Sequence, residues 1–251
     1  MKAAAAGGFT GVALASGTNP PVHSKAQIQY IKNNTEGAIV DVYPVGTTTQ
    51  NREGKELSEM YDMQQAGAVA FSDDKNTIAN AGILMRALLY SKNFDGLVMT
   101  HCDDKSISQD GKMNEGEIST RLGLKGIPAL AEELMIARNI SLAEYTDAPI
   151  HIANISTQRS VELIRQAKAK GLKVTSSVTA YNIALHDGLL SGFDSNYKLN
   201  PPLRTKTDLE AIRKCISDGT SDAMSSDHRP QDIESKEVDF DHASNGMLGL
   251  Q

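Results

Sequence analysis

Tryptophan is absent, cysteine occurs twice, and aromatic residues make up 5% of the 251 residues. Few aromatics together with a net charge of −6 argue against a nucleic-acid surface, which needs a basic stripe and stacking platforms. Cys102 and Cys215 form neither a C-x-x-C metal clip nor a disulfide framework. A reducing, cytoplasmic setting is the simplest expectation. No apolar run approaches the ~18 residues of a membrane span. Met1 to Gly8 lacks the basic and apolar regions of a secretion signal. No Gly-x-Gly-x-x-Gly turn follows the first apolar run, and Gly7-Gly8 precedes it instead, so a dinucleotide-binding reading is weak.

What is present is a repeating pattern within an ordinary globular composition, 40% hydrophobic and 22% charged. Short apolar or β-branched runs alternate with stretches of 3.6-residue periodicity. Strands are predicted over Gly8–Ser16, Ala38–Val45, Ala68–Ser72, Leu97–Cys102, Pro149–Ile155, Lys173–Thr179 and Asp222–Ser226. Helices are predicted over Ser24–Asn34, Lys55–Ala66, Thr77–Phe94, Pro128–Ala137, Leu142–Thr146, Gln158–Lys170 and Asp208–Ser217. Such alternation predicts a parallel sheet with helical crossovers. No linker interrupts it, so residues 1–251 read as one domain. Gln109–Glu117 and Arg229–Ser244 are polar and read as loops over one mouth of the fold. Seven strands are one short of an eight-stranded closure, and no closing helix follows the last. The expectation is a partial barrel, lacking its first strand and its C-terminal closing segment, that aggregates or pairs with a copy of itself through the open edge.

Polar residues favour a closed barrel over an open sheet. Asp73-Asp74, His101, Asn154, Ser156 and Asp227 all fall where strands end. Barrel enzymes build their sites there, from several strands at once. Carboxylate oxygen and imidazole nitrogen are zinc ligands, and zinc lowers the pKa of a bound water. A single strand-end Asp is ordinarily a cap or turn residue; their shared placement is what suggests a site. Other polar features read as structural. Ser156-Thr157 near His151 suits strand-end hydrogen bonding. Arg159, Arg165, Lys168 and Lys170 suit a solvated helix face. Met60, Met63, Met85 and Met135 suit packing between helix and barrel.

Several ordered motifs carry a resemblance: Ala3-Ala4-Ala5-Ala6-Gly7-Gly8-Phe9-Thr10, Thr18-Asn19-Pro20-Pro21, Ala70-Phe71-Ser72-Asp73-Asp74, His101-Cys102-Asp103-Asp104, Gly126-Ile127-Pro128, Ile155-Ser156-Thr157, Leu199-Asn200-Pro201-Pro202-Leu203-Arg204 and Ser226-Asp227-His228. Over nearly its whole length the chain resembles the multifunctional-complex type of dihydroorotase, of the amidohydrolase superfamily. The resemblance implies a (β/α)₈ TIM barrel with zinc in its mouth. It implies reversible hydrolysis of dihydroorotate to carbamoyl aspartate in pyrimidine biosynthesis. Motif by motif, it makes Asp74, His101 and Asp227 metal ligands, Asp227 also the general base, and Asn200 a contact of the substrate ring.

The departures are equally specific. The family's His-x-His-x-x-Arg motif, two ligands and the residue holding the substrate carboxylate, occurs nowhere in the sequence. The ligand His of His-x-Cys-His is here Asn154, whose neutral amide is a poor donor to zinc; His151 matches the other His and reads as a packed strand residue. The Asn of Met-Pro-Asn is here Gly17, the second His of Asp-His-Ala-Pro-His is Gln231, and the paired His of Pro-His-His is replaced at Tyr181-Asn182. These changes imply weak metal binding. The first reading is therefore a dihydroorotase-family hydrolase with a degraded metal and substrate site; the alternatives are a noncatalytic dihydroorotase-like scaffold that assembles with aspartate carbamoyltransferase, or an amidohydrolase for another cyclic amide such as a hydantoin or allantoin.

Overall fold

A computed structural model describes residues 1–250. The main sheet contains β1 (Gly11–Leu14), β2 (Asp41–Gly46), β3 (Ala70–Phe71), β4 (Val98–His101), β7 (Ile150–Ala153), β8 (Val174–Thr179) and β9 (Ala223–Ser225). A separate two-stranded ladder pairs β5 (Met113–Asn114) with β6 (Gly126–Ile127). Helices are α1 (Lys2–Ala6), α2 (Lys25–Thr35), α3 (Met60–Gln65), α4 (Ala81–Lys92), α5 (Lys105–Ser108), α6 (Glu117–Leu122), α7 (Leu130–Thr146), α8 (Gln158–Ala169), α9 (Ala180–Ala184), α10 (Lys206–Ser217) and α11 (Ile233–Lys236).

The seven strands of the main sheet pair in parallel and in chain order, with β1 and β9 at its edges. A doubly wound sheet reverses its strand order at a switch point. This sheet never does, so all crossovers run one way, as in a barrel. Hence the C-terminal ends of the strands share one rim.

Burial explains which segments became strands. β4, β7 and β8 contribute Val98, Ile150, Ile152 and Val178 to the main core, where α4, α7, α8 and α10 add Leu84, Ile136, Ile164 and Ile212. A second cluster packs Ile28, Met60, Met63 and Phe71 under α2 and α3. No helix among the described residues is long and apolar enough to cross a membrane.

Most elements are a few residues shorter than the sequence reading, the 229–244 stretch holds the short α11, and three segments differ in kind or extent. The helix expected over Lys55–Ala66 shortens to Met60–Gln65, because Leu57 makes an antiparallel bridge to Thr49. Residues 128–137 and 142–146 are parts of one helix, α7. The polar residues that interrupt its apolar periodicity are used inside the fold. Asn139 is buried and donates to Thr100 Oγ1 at 3.2 Å, while Arg138 donates to the carbonyls of Ile78 and Ala79. The polar stretch 109–117 contains β5.

Helix α4 illustrates local control. Asn80 caps it, its Oδ1 accepting from the backbone N–H groups of Gly82 (2.9 Å) and Ile83 (3.2 Å). Asn80→Ala should cost about 1 kcal/mol of stability, since two N–H groups lose their acceptor. Urea unfolding midpoints will show it; an unchanged midpoint would remove the cap from the account.

Candidate functional site

The rim collects the predicted residues on sharp exits from the strands. Asp74, Asn154 and Asp227 all adopt left-handed backbone, with φ of 56°, 58° and 41°. Asn and Asp tolerate this region better than other non-glycine residues. At all three positions the chain therefore turns abruptly just past its strand.

The Asp-Asp pair divides its work. Asp73 is buried, and its Oδ1 accepts from the N–H groups of Thr48 and Thr49, both at 2.9 Å, while Thr49 Oγ1 donates to its Oδ2. It ties the β2 and β3 loops together. Asp74 faces cations instead: Arg229 donates to its Oδ1, and Arg52 Nη1 lies 3.9 Å from its Oδ2.

Asp227 is held by three donors. Lys75 Nζ lies 2.8 Å from its Oδ2, the Tyr181 hydroxyl donates to the same oxygen, and Arg229 Nε lies 3.4 Å from its Oδ1. Burial would raise its pKa, but the Lys75 ammonium and the other donors outweigh burial and lower it. Lys75 also donates to the Asn200 carbonyl at 2.7 Å. Arg229 thus bridges the ends of β3 and β9 with one guanidinium.

His101 differs. It is buried, and neither ring nitrogen has a hydrogen-bond partner. Burial first and the Lys75 ammonium second push it down to about 3, so it stays neutral. His101 and Asn200 line a cavity of about 480 Å³ shared with Lys198, Arg204 and the 241–245 loop. Asp74 and Asp227 do not line it. Asn154 sits apart from both groups. Its Oδ1 accepts from Ser225 Oγ at 2.7 Å, and its backbone N–H donates to Ser177 Oγ. His151 makes hydrogen bonds to Thr175 Oγ1 (2.9 Å) and Ser177 Oγ (3.1 Å), a satisfied strand histidine.

Whether zinc fits can be judged from these side chains. His101, with two free nitrogens, is a suitable donor. The carboxylates are not available, because ammonium or guanidinium groups hold both. Among the described residues no three His, Cys, Asp or Glu side chains converge as a metal site. As arranged, the centre does not fit a divalent cation.

The sequence profile of the Dihydro-orotase-like family matches residues 1–160. This chain belongs to that family. It is similar to a protein named Dihydroorotase from Pelotomaculum thermopropionicum, 48% identical over 250 residues, covering all of this chain and 58% of the relative. A Dihydroorotase from Thermoanaerobacter sp. is 47% identical, with the same coverage. The chain thus spans under two thirds of these relatives. Among solved structures, the L-hydantoinase (dihydropyrimidinase) of Arthrobacter aurescens superposes with a TM-score of 0.86 at 22% identity, over 99% of this chain and 57% of that one. A D-hydantoinase structure gives a TM-score of 0.75 at 22% identity. These likenesses establish the TIM-barrel-type fold of the dihydroorotase-like chain, with its sheet curled as part of a barrel.

Arg52, Lys75 and Arg229 escaped the motif-based reading. Each is a charge beside a residue that the motifs did single out, or one that folding brings there. Lys75 follows Asp74 and Arg229 lies two residues after Asp227, so charge flanking a motif carboxylate was the available signal. Arg52 is distant in sequence and had none.

Proposed function

We propose that this chain carries the dihydroorotase-family site for a cyclic amide, of the class of dihydroorotate, on a centre degraded in metal binding and turnover. In this reading the family reaction is the hydrolysis of dihydroorotate to carbamoyl aspartate in pyrimidine biosynthesis. Asp74, His101 and Asp227 stand at the family's metal-ligand positions, with Asp227 also at the general-base position and Asn200 at the ring-contact position. Zinc is the family's metal in the same reading. One observation carries the degraded centre: Arg229 bridges Asp74 and Asp227 while Lys75 holds Asp227. A base already engaged by an ammonium and a phenol is poorly placed to take a proton from water.

The second reading is a dihydroorotase-like scaffold with aspartate carbamoyltransferase as partner and a homo-oligomeric state; the same cation pairing favours its lack of turnover, while the partner and the oligomer come from the family resemblance and the open edges at β1 and β9. Two buried free cysteines suit a cytoplasmic location.

Purified protein supplied with zinc should hydrolyse dihydroorotate at least about 10³-fold more slowly than an active dihydroorotase assayed in parallel, the effect of losing roughly 4 kcal/mol of metal-derived stabilisation. Turnover matching the active enzyme, with zinc bound in stoichiometric amount, would sink the degraded-centre reading.

A further inference from the structure

We propose that Lys75 and Arg229 are this chain's built-in replacement for the metal cation, and that they close the centre to divalent metal. The proposal rests on the reading above that Asp74, His101 and Asp227 stand at the family's metal positions.

Position is the first support. The Lys75 ammonium contacts Asp227 Oδ2 at 2.8 Å and the Asn200 carbonyl at 2.7 Å, and only 16% of its side chain is exposed. It therefore sits as a desolvated cation among the groups expected to hold metal and substrate. Arg229 spends its guanidinium on the remaining carboxylate and on Asp227 together.

The second support is that residues departing from the family pattern build this arrangement jointly. Tyr181, where the family has His, donates to Asp227. Arg229 stands at the Ala of Asp-His-Ala-Pro-His and reaches both carboxylates. Gly17, where the family has Asn, leaves room for the cluster: a Cβ there would overlap Asp74 Oδ2 and lie 2.8 Å from Arg52 Nη1. Asn154 and Gln231 lie outside this set of contacts, but Gly17, Tyr181 and Arg229 meet in it, as compensating changes do when a buried charge needs a partner.

Charge is the third. Arg52, Lys75 and Arg229 face two carboxylates, Asp74 and Asp227. Both carboxylates are therefore already paired with cations, which leaves neither as an unneutralised anionic donor for a dication.

Cobalt(II) is a suitable probe, titrated into purified protein and followed by calorimetry and by its visible absorption. The wild-type protein should give no saturable binding at the centre. The pairs K75A/R229A and K75Q/R229Q, the second preserving side-chain length and hydrogen bonding, should each gain cobalt affinity. Their cobalt affinity should exceed the wild-type detection limit by at least about 100-fold, comparable to what metal sites lose when their supporting residues are removed. Adding His101→Ala should abolish the gained absorption.

Tight cobalt binding by the wild type that His101→Ala removes would overturn the proposal. So would folded double variants, verified by circular dichroism, that bind no better than wild type. Turnover of dihydroorotate by wild type without bound cobalt would defeat the functional reading and leave the Lys75 and Arg229 assignment standing.

Discussion

Replacing Glu132 by alanine should destabilise the protein by about 3–5 kcal/mol, the typical effect of orphaning one member of a buried ion pair. Glu132 and Arg204 are 4% and 3% exposed, with Arg204 Nη2 3.5 Å from Glu132 Oε2. Glu132 Oε1 accepts from the Ser156 backbone N–H and from Ser160 Oγ, both at 2.7 Å, and its Oε2 accepts from Ser156 Oγ. Arg204 donates to Ser156 Oγ, Asn114 Oδ1 and the Ile127 carbonyl, each at 3.0 Å. One pair thus ties α7, the exit of β7, both strands of the small ladder and the Pro201-Pro202 segment together. Its loss leaves a 3%-exposed guanidinium without its counter-charge. The double variant E132A/R204M should recover part of the stability, because no uncompensated charge remains. Urea denaturation of both variants decides this. A Glu132→Ala effect under about 1 kcal/mol would mean that water or rearrangement replaces the carboxylate.

The second large effect is acid lability. His101 is pushed down to about 3 and His151 to about 4, both chiefly by burial. In the unfolded chain each returns to about 6.5. Between those values the unfolded state binds protons that the folded state does not, so stability rises with pH and is lost as pH falls below about 6.5. From pH 7 to 4.5 each histidine should remove about 2–3 kcal/mol, at 1.36 kcal/mol per pH unit of difference. Asp227, with its lowered pKa, loses its contribution in the same direction, but only near and below about pH 4, where unfolded carboxylates protonate. Asp73, raised by burial, partly opposes that further loss. His151→Gln, which retains a polar group opposite Thr175 and Ser177, should remove about half of the slope between pH 7 and 4.5. Stability that stays flat across this range would contradict the neutral, buried state of both rings.

The ordered motifs carry the family and the barrel in the sequence itself, and they mark two kinds of residue that sequence alone does not separate. Ser156, Ile127 and Arg204, from three motifs, converge on the Glu132 network and act as structural pins. Asp74, His101 and Asp227, from three others, mark the rim. Within one motif, Asp73 anchors backbone while Asp74 faces cations. Neighbouring positions carry opposite duties because the chain turns through positive φ between them.

Alternation of apolar runs and helical periodicity determined the seven strands of the main sheet and their parallel pairing, most plainly at β4, β7 and β8, whose buried residues leave apolar or β-branched runs, and it missed the short β5 and β6. The identities of Asn154 and Gly17 gave the expectation, by resemblance alone, of an incomplete donor set. What only the tertiary structure decided is the charge balance of the rim. Arg52, Lys75 and Arg229 come from separate loops; besides the local Arg229–Asp227 contact, their pairings with Asp74 and Asp227 span 22 to 155 positions of chain. Coulombic pairing depends on distance in space and on exclusion of water, and neither is written in sequence order.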